Sequence, residues 1–176
     1  EKLEEASFLS AKSSYMLSPV YSKDQKETKE AIEKLQEFIN LYPESEYATE
    51  ASKLVQELDF KLEKKAYEIA KQFNRISDYP ASVRSFDNFI FEFPGSKLRE
   101  DALFYRFDSA YKLAMNSVEI KNSLQGLIYL KKQRLETAKE YSQGFVQAYG
   151  ESKYIEDVNK MTSEINNELE SYSTKS

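Results

Sequence analysis

The sequence predicts an all-α fold, an array of about seven helices paired as antiparallel hairpins. Three segments share one pattern: an aromatic residue, three residues, a second aromatic, then Pro or Gly, one residue and Ser. These segments are Phe38–Ser45, Phe89–Ser96 and Phe145–Ser152. Between them, apolar residues recur at spacings of three and four, the period of an amphipathic helix. Only four Gly and four Pro occur in 176 residues, and an all-β fold would need more turn residues.

Each of the three segments is predicted to be a corner between two helices. The two aromatic residues lie at i and i+4, on one face of a helix. The Pro or Gly then ends that helix, and the Ser hydroxyl can accept a hydrogen bond from a free N–H group of the next helix. The first aromatics follow one another at intervals of 51 and 56 residues (89 − 38 and 145 − 89). The array is therefore predicted to be a right-handed stack of hairpins, none of which can bury its apolar face alone.

Residues 1–17 are predicted to form the first helix, which Pro19 ends because proline cannot continue a helix. Its apolar stripe has the helical period and is expected to face the core. That stripe consists of Leu3, Ala6, Leu9, Ser13 and Met16, with Phe8 and Tyr15 beside it.

The second helix is predicted to follow a short loop and to run to about residue 41. Asp24 or Ser22 offers an N-cap, and Glu27 is placed to complete a capping box from Asp24. The residues expected to face inward are Ala31, Leu35, Phe38, Ile39 and Tyr42.

The longest helix is predicted between Ser45 and Asp78, where no Gly or Pro interrupts the apolar pattern. A helix of about 30 residues is about 45 Å long, so it is expected to pack against different neighbours along its length. The next helix runs from Tyr79 to Phe93, with Pro80 in its first turn, where the missing N–H costs nothing. The apolar pattern of the long helix consists of Tyr47, Ala51, Leu54, Leu58, Leu62, Ala66, Ile69, Phe73 and Ile76.

After the second corner, Ser96 is predicted to cap another long helix. That helix is expected to break or kink somewhere between 117 and 132, where Asn-Ser pairs and a glycine weaken the pattern. A further helix then reaches the third corner at Tyr149, and the last helix runs from Ser152 to about Leu169.

The chain is expected to form a single repeat domain over 1–170, with a disordered tail over 171–176. No apolar run approaches the roughly 18 residues of a membrane span, and no signal peptide is recognisable. The chain starts at Glu1 rather than Met, so we expect the natural N-terminus to lie further upstream.

The composition argues against an enzyme and against a cofactor. Without His or Cys, the chain has no imidazole acid–base chemistry, no thiolate nucleophile and no thiolate metal site. Four scattered glycines form no phosphate-cradling loop, and a net charge of −5 gives no reason to expect nucleic acid. Carboxylate pairs could be acids or metal ligands, although solvated helix faces with i, i+4 charge pairs are the favoured interpretation. These pairs are Glu4/Glu5, Glu30/Glu33 and Glu168/Glu170.

Two features are candidates for partner contact. Lys131, Lys132 and Arg134 form the densest basic cluster, which could meet an acidic partner or lipid head groups, or could be no more than an exposed turn. Phe91 and Phe60 lie off the apolar stripes of their helices. For Phe60 we expect a neighbouring helix to cover the ring, whereas for Phe91 an exposed partner contact is equally open.

The motifs around the corners resemble a known family. The stretch from Ala31 to Ala51 resembles a tetratricopeptide helix B that runs into the next helix A. The ordered combination of further motifs is similar to BamD-type outer-membrane assembly lipoproteins, most of all to their Bacteroidetes branch, over residues 5–160. Those motifs are Ser18–Gln25, Leu62–Lys71, Asp78–Ser96 and Ala110–Ser117. Gly150 departs from the Pro that the family usually has there, which bears on the geometry of the last repeat.

The resemblance implies a non-catalytic scaffold on the periplasmic face of the outer membrane. In this family the mature protein starts with a lipidated Cys and carries about five repeats, so the chain would be the C-terminal part, held at the membrane only by that lipid anchor. Its repeats would dock a periplasmic domain of the barrel-forming core subunit of the β-barrel assembly machinery. Two alternatives are a general tetratricopeptide adaptor that binds a peptide or protein in its concave groove, and a helical enzyme or carbohydrate-handling domain with clustered carboxylates.

Overall fold

The computed structural model describes residues 2–117 and 124–173, and every regular element in that part of the chain is a helix. This confirms the all-α helical array, with seven helices among the described residues. The helices are α1 (Lys2–Leu17), α2 (Lys26–Leu41), α3 (Ala48–Arg75), α4 (Tyr79–Glu92), α5 (Arg99–Met115), α6 (Leu124–Ala148) and α7 (Ile155–Ser173). None of the described helices is long and apolar enough to cross a bilayer.

The three corners have the same hydrogen bonds, although the Ser is not the N-cap of the next helix as predicted: the N-cap of α5 is Leu98, not Ser96. In each, the Ser hydroxyl accepts the N–H two residues further on, at 3.2 Å for Ser45, 3.1 Å for Ser96 and 3.0 Å for Ser152. The N–H of each Ser donates to the carbonyl of the second aromatic residue at 3.1 Å. The two aromatic rings of each corner lie 5.3–5.7 Å apart. Gly150, which replaces Pro at the third corner, leaves this pattern unchanged.

Several predicted boundaries need correction. The N-cap of α2 is Gln25, not Asp24 or Ser22, because the buried Gln25 amide donates to three loop carbonyls and so holds the loop closed. Asp24 instead accepts the N–H of Lys26 at 2.8 Å. The expected break at 117–132 corresponds to the connection from α5 to α6, of which residues 118–123 lie outside the described part. Helix α7 includes residues 171–173 of the expected tail, and 174–176 lie outside the described residues.

The chain forms two compact units, 1–66 and 67–176. The single repeat domain over 1–170 stays a prediction. The division falls inside α3, and the buried face of that helix changes there. The buried residues of α3 include Leu58 in the first unit and Tyr67, Ala70 and Asn74 in the second. Ile69 and Ile76, which the predicted stripe places in the core, are 44% and 64% exposed. The core of the first unit consists of Phe8, Ala11, Ala31, Ile32, Leu35, Phe38, Ala51, Leu54 and Leu58.

The predicted inward stripe of α1 is wrong. Leu3, Leu9 and Met16 are 75%, 53% and 76% exposed, whereas the buried residues of α1 are Phe8, Ala11 and Ser14. Phe8 decides the rotation of the helix, because its ring stacks on that of Tyr47 and packs against Phe38, at centroid distances of 4.8 and 5.4 Å. The apolar stripe of α1 therefore points away from the core of its own unit.

In the second unit, α5 packs against α4, α6 and α7. Its core consists of Phe104, Phe107, Ala110, Ala114, Leu135, Ala138, Phe145, Val158 and Ile165. A buried polar network joins three helices of this unit. The Asn74 amide on α3 donates to Asp108 and Ser109 on α5, both at 2.8 Å, and Ser82 on α4 lies 2.8 Å from Ser109. The Lys112 ammonium group donates to a carboxylate oxygen of Asp108 at 2.6 Å, so each of these buried groups has a hydrogen-bond partner.

Phe145→Ala is expected to lower the free energy of unfolding by about 3–5 kcal/mol, because it leaves a cavity where a fully buried ring packs against Phe104 and Tyr149. Urea unfolding followed by circular dichroism measures the change. Phe91→Ala is the matched control, and as an exposed site it should cost no more than about 0.5 kcal/mol. Equal losses in the two variants would contradict the packing described here.

Ser77→Gly is expected to stabilise the protein by about 0.5–1 kcal/mol. Ser77 ends α3 with φ 65°, a left-handed conformation that strains a residue with a Cβ, and the N–H of Asp78 donates to Phe73 as in a glycine-terminated helix. Thermal unfolding of Ser77→Gly and of the control Ser77→Ala tests this, since the alanine variant keeps the strain. A melting temperature that rises equally in both variants would show that strain is not the cause.

Candidate functional site

The predicted basic cluster lies on α6, so it is a helical segment and not an exposed turn. Its three cations have different neighbours. Lys131 Nζ lies 3.0 Å from a carboxylate oxygen of Glu168 on α7, and Arg134 donates to the Ser117 hydroxyl at 2.8 Å. Lys132 is half exposed and lies 4.0 Å from Glu136 one turn further on. The structure therefore does not gather the cluster into one basic patch.

Lys131 is a structural cation as well as a candidate contact. Burial lowers the pKa of its ammonium group, but the hydrogen bond and charge of Glu168 raise it, and the net result is a raised pKa. Its side chain is 17% exposed and ties α6 to α7. Lys132 and Arg134 are thus the members of the cluster with more freedom to meet a partner.

Phe91 is the most exposed large apolar side chain of the described residues, at 86%. It lies two residues after the first aromatic of the second corner, where the other two corners have Asn40 and Gln147. The corner geometry is the same with an amide at this position, so the fold does not require the ring of Phe91. Phe60 is 40% exposed, so its neighbours cover that ring only in part, contrary to the expectation of full cover.

A groove of about 420 Å³ opens between α4 and α6, which both pack on α5. One part of its lining is apolar and the other is polar, and Arg134 lies in the polar part. The apolar residues are Val83, Ala110, Leu113 and Leu130, and the polar ones include Arg134, Glu136, Thr137 and Glu140. Of the residues that line the groove, the sequence predicted only Arg134 as a candidate contact. The groove forms because α4 and α6, which are distant in sequence, both pack on α5.

Two tyrosine–carboxylate hydrogen bonds join α5 to α7 and to Tyr154, the residue that precedes α7. Tyr154 donates to Asp101 at 2.5 Å, and Tyr111 donates to Glu164. Burial, together with the bond to Glu164, raises the pKa of Tyr111 to about 12. Burial and the bond to Asp101 likewise raise the pKa of Tyr154 above its ordinary value. These phenols are held neutral as donors, which is a structural role.

The carboxylate pairs do not converge on a reaction centre in the described part of the chain. Glu30 is half exposed and lies 3.8 Å from Lys26 at i, i+4, and Glu168 pairs with Lys131. No group of three or more His, Cys, Asp or Glu side chains among the described residues is arranged to hold a metal ion. The interpretation of these carboxylates as charge-paired helix faces is therefore favoured.

Helical hairpins joined by corners of one repeated pattern form the architecture of a helical-repeat protein. The family model described as YfiO, outer membrane lipoprotein, matches this chain twice, over residues 1–127 and 76–175. The chain therefore belongs to this family of outer membrane lipoproteins. The two matches share residues 76–127. A search of curated proteins finds no match.

Raising the pH from 10 to 12 is expected to destabilise the protein, and Tyr111→Phe is expected to weaken that dependence. An unfolded tyrosine ionises near pH 10 and folded Tyr111 near pH 12, so its neutral form favours the folded state. The stabilisation of the folded state by neutral Tyr111 is fully present below pH 10 and is lost as the pH approaches 12. Urea unfolding between pH 9 and 12 measures it.

The matched control is Tyr79→Phe, whose hydroxyl bonds to Ser77 at an exposed corner. If the burial of Tyr111 and its bond to Glu164 are the cause, the pH dependence should weaken more in Tyr111→Phe than in this control. If the free energy of unfolding of Tyr111→Phe depends on pH as in the wild type, Tyr111 does not contribute to the loss of stability at alkaline pH.

Proposed function

We propose that the protein is a non-catalytic scaffold of the outer-membrane β-barrel assembly machinery. In this proposal its helical repeats dock a periplasmic domain of the barrel-forming core subunit. The protein works on the periplasmic face of the outer membrane, held there by a lipid on the full-length polypeptide. Membership of an outer membrane lipoprotein family is the observation that carries the proposal.

The fold supports a scaffold because its helices are stiffened from within. Aromatic corners fix the helices of each unit, and the buried Asn74–Asp108–Ser109 network adds to this in the second unit, so exposed side chains are presented with little loss of conformational entropy on binding. The described residues offer binding groups of the kinds that anchor protein interfaces, namely an aromatic ring and an arginine. We assign the partner contact to Phe91, with Lys132 and Arg134 as charged contacts and Lys131 in support.

The groove between α4 and α6 favours one alternative, an adaptor that binds a peptide. Its apolar residues could take a side chain, while Arg134 could bind a carboxylate in bidentate fashion. In that case binding would depend on Leu130 and Arg134 and not on Phe91. The two functions therefore differ in the residues that carry binding.

Photo-crosslinking from position 91 tests the proposal. The full-length protein with a photoreactive phenylalanine at Phe91 is expected to crosslink, in outer membranes, to a large β-barrel protein that also co-purifies with it. The matched control places the same group at Asn40, the equivalent position of the first corner, and should give much less product. Phe91→Ala should reduce recovery of the partner by about tenfold or more, as expected of an interface anchor.

Failure to recover any β-barrel protein with a well-folded bait would count against the scaffold. If recovery survives Phe91→Ala but is lost in Arg134→Glu or Leu130→Glu, the groove and not the Phe91 surface is the binding site.

A further inference from the structure

The loop between α1 and α2, residues 18–25, is a turn with a fixed backbone. The buried Gln25 amide donates to the carbonyls of Val20 and Lys23 at 3.0 Å and to that of Asp24 at 3.2 Å. The N–H of Lys23 donates to the Val20 carbonyl at 3.1 Å. Because these bonds hold the backbone, the loop needs little ordering when it binds a partner.

Three large apolar side chains are exposed in this loop and just before it. Met16 and Leu17 end α1 at 76% and 74% exposure, and Val20 in the loop is 61% exposed. We call residues 16–25 the hairpin tip. A group of exposed apolar side chains on an ordered turn marks a contact surface.

Two lysines of α3 reach across to the loop. The Lys61 ammonium group donates to the Ser18 hydroxyl at 2.7 Å, and that of Lys65 donates to the Lys23 carbonyl at 2.5 Å. These acceptors are neutral, so neither bond cancels the charge of its lysine. The residues joined are 43 and 42 positions apart in the sequence, so no local pattern predicts the arrangement.

Two further lysines add their charge. Lys64 Nζ lies 4.8 Å from the centre of the Tyr21 ring, a cation–π contact, and Lys23 in the loop itself is exposed. Asp24 is the one acidic residue of 18–25, and its carboxylate accepts the N–H of Lys26. The loop and the lysines of α3 that contact it thus have four positive charges and one negative charge, a net charge of +3 (4 − 1).

These four lysines have no acidic partner in the described part of the chain. No described carboxylate oxygen lies within 4.0 Å of their ammonium groups, whereas Lys12 and Lys131 each pair with a glutamate. The chain as a whole has a net charge of −5, so the excess of positive charge is local. The structure therefore gathers a basic surface at the hairpin tip and not at the predicted cluster on α6.

Exposed apolar side chains beside unpaired lysines are the features by which a protein surface binds an anionic bilayer. The apolar side chains enter the boundary between head groups and acyl chains, and the lysines are attracted by the negative surface potential. The family supplies the bilayer, since an outer membrane lipoprotein is held beside one. A lipid anchor and a basic patch also reinforce each other, because each contact keeps the other close to the surface.

We propose that the hairpin tip binds the surface of a bilayer that contains anionic lipids. Leu17 and Val20 enter the head-group region, and Lys23 and Lys64 bind lipid phosphates. Lys61 and Lys65 hold the loop in place and add to its positive charge. This membrane contact is additional to the lipid anchor that the family resemblance implies, and it does not depend on the identity of the partner in assembly.

Vesicle co-sedimentation tests the proposal. The 176-residue chain, which has no lipid attached, is mixed with vesicles of phosphatidylcholine alone or with about one third phosphatidylglycerol, and the sedimented fraction is measured. We expect binding to the anionic vesicles and much less to the neutral ones. Binding should weaken as the salt concentration rises, because salt screens the attraction between lysines and phosphates. Equal binding to the two kinds of vesicle, or no binding to either, would overturn the proposal.

Replacing two lysines of the hairpin tip tests the charge. Lys23→Gln combined with Lys64→Gln is expected to weaken binding to anionic vesicles by about thirtyfold, since each lysine near such a surface strengthens binding about fivefold. The matched control combines Lys97→Gln with Lys160→Gln, two exposed lysines of the second unit, and changes the net charge equally. This control should weaken binding by less than about threefold.

Val20→Ser tests the apolar contact and is expected to weaken binding by about tenfold, as the loss of one buried apolar side chain predicts. Its control is Leu41→Ser, which replaces a residue 62% exposed at the opposite end of α2 and should bind like the wild type. Circular dichroism checks that each variant is folded, and Leu17→Ser replaces Val20→Ser if the latter is not. If either the lysine variant or the apolar variant binds like its control, the bilayer is not what the hairpin tip binds.

Discussion

Ring packing at the corners is the interaction on which the rest of the structure depends. At each corner an aromatic residue at the end of one helix lies against a second aromatic one turn later, and Pro or Gly followed by Ser sets the start of the next helix. In both units an aromatic of the preceding helix is stacked on the tyrosine that opens the next one. Three helices are thus fixed by one cluster of rings, which sets their rotation as well as their direction.

This constraint leaves the exposed positions of the helices open to substitution. Because the rings hold the helices of each unit, and the buried polar network adds to this in the second unit, exposed positions are free to vary without cost to the fold. Phe91 illustrates the point, since amides occupy its equivalents at the other two corners. A rigid frame with substitutable positions suits a protein that binds other proteins, and it agrees with a family of outer membrane lipoproteins.

Much of the fold could be predicted because its signals are local. The corners, the 28-residue α3 and the start of α4 at Tyr79, with Pro80 in its first turn, follow from residues a few positions apart. The surroundings of the candidate contact residues could not be predicted in this way, because they depend on residues distant in sequence. Lys131 and Arg134 are three residues apart in the sequence, but Lys131 pairs with Glu168 and Arg134 donates to Ser117. The groove between α4 and α6 has no local signal, because α5 brings its walls together.

By itself the sequence determined the all-α class, the positions of the three corners and the absence of imidazole and thiol chemistry, since these depend on residue type and short spacing. Tertiary structure decided which face of each helix is buried. On α1 the stripe of Leu3, Leu9 and Met16 has the helical period, but the ring of Phe8 packs against Tyr47 and Phe38, and that stripe is exposed. Periodicity shows that a helix has an apolar face, whereas only the partners that reach it decide what covers that face.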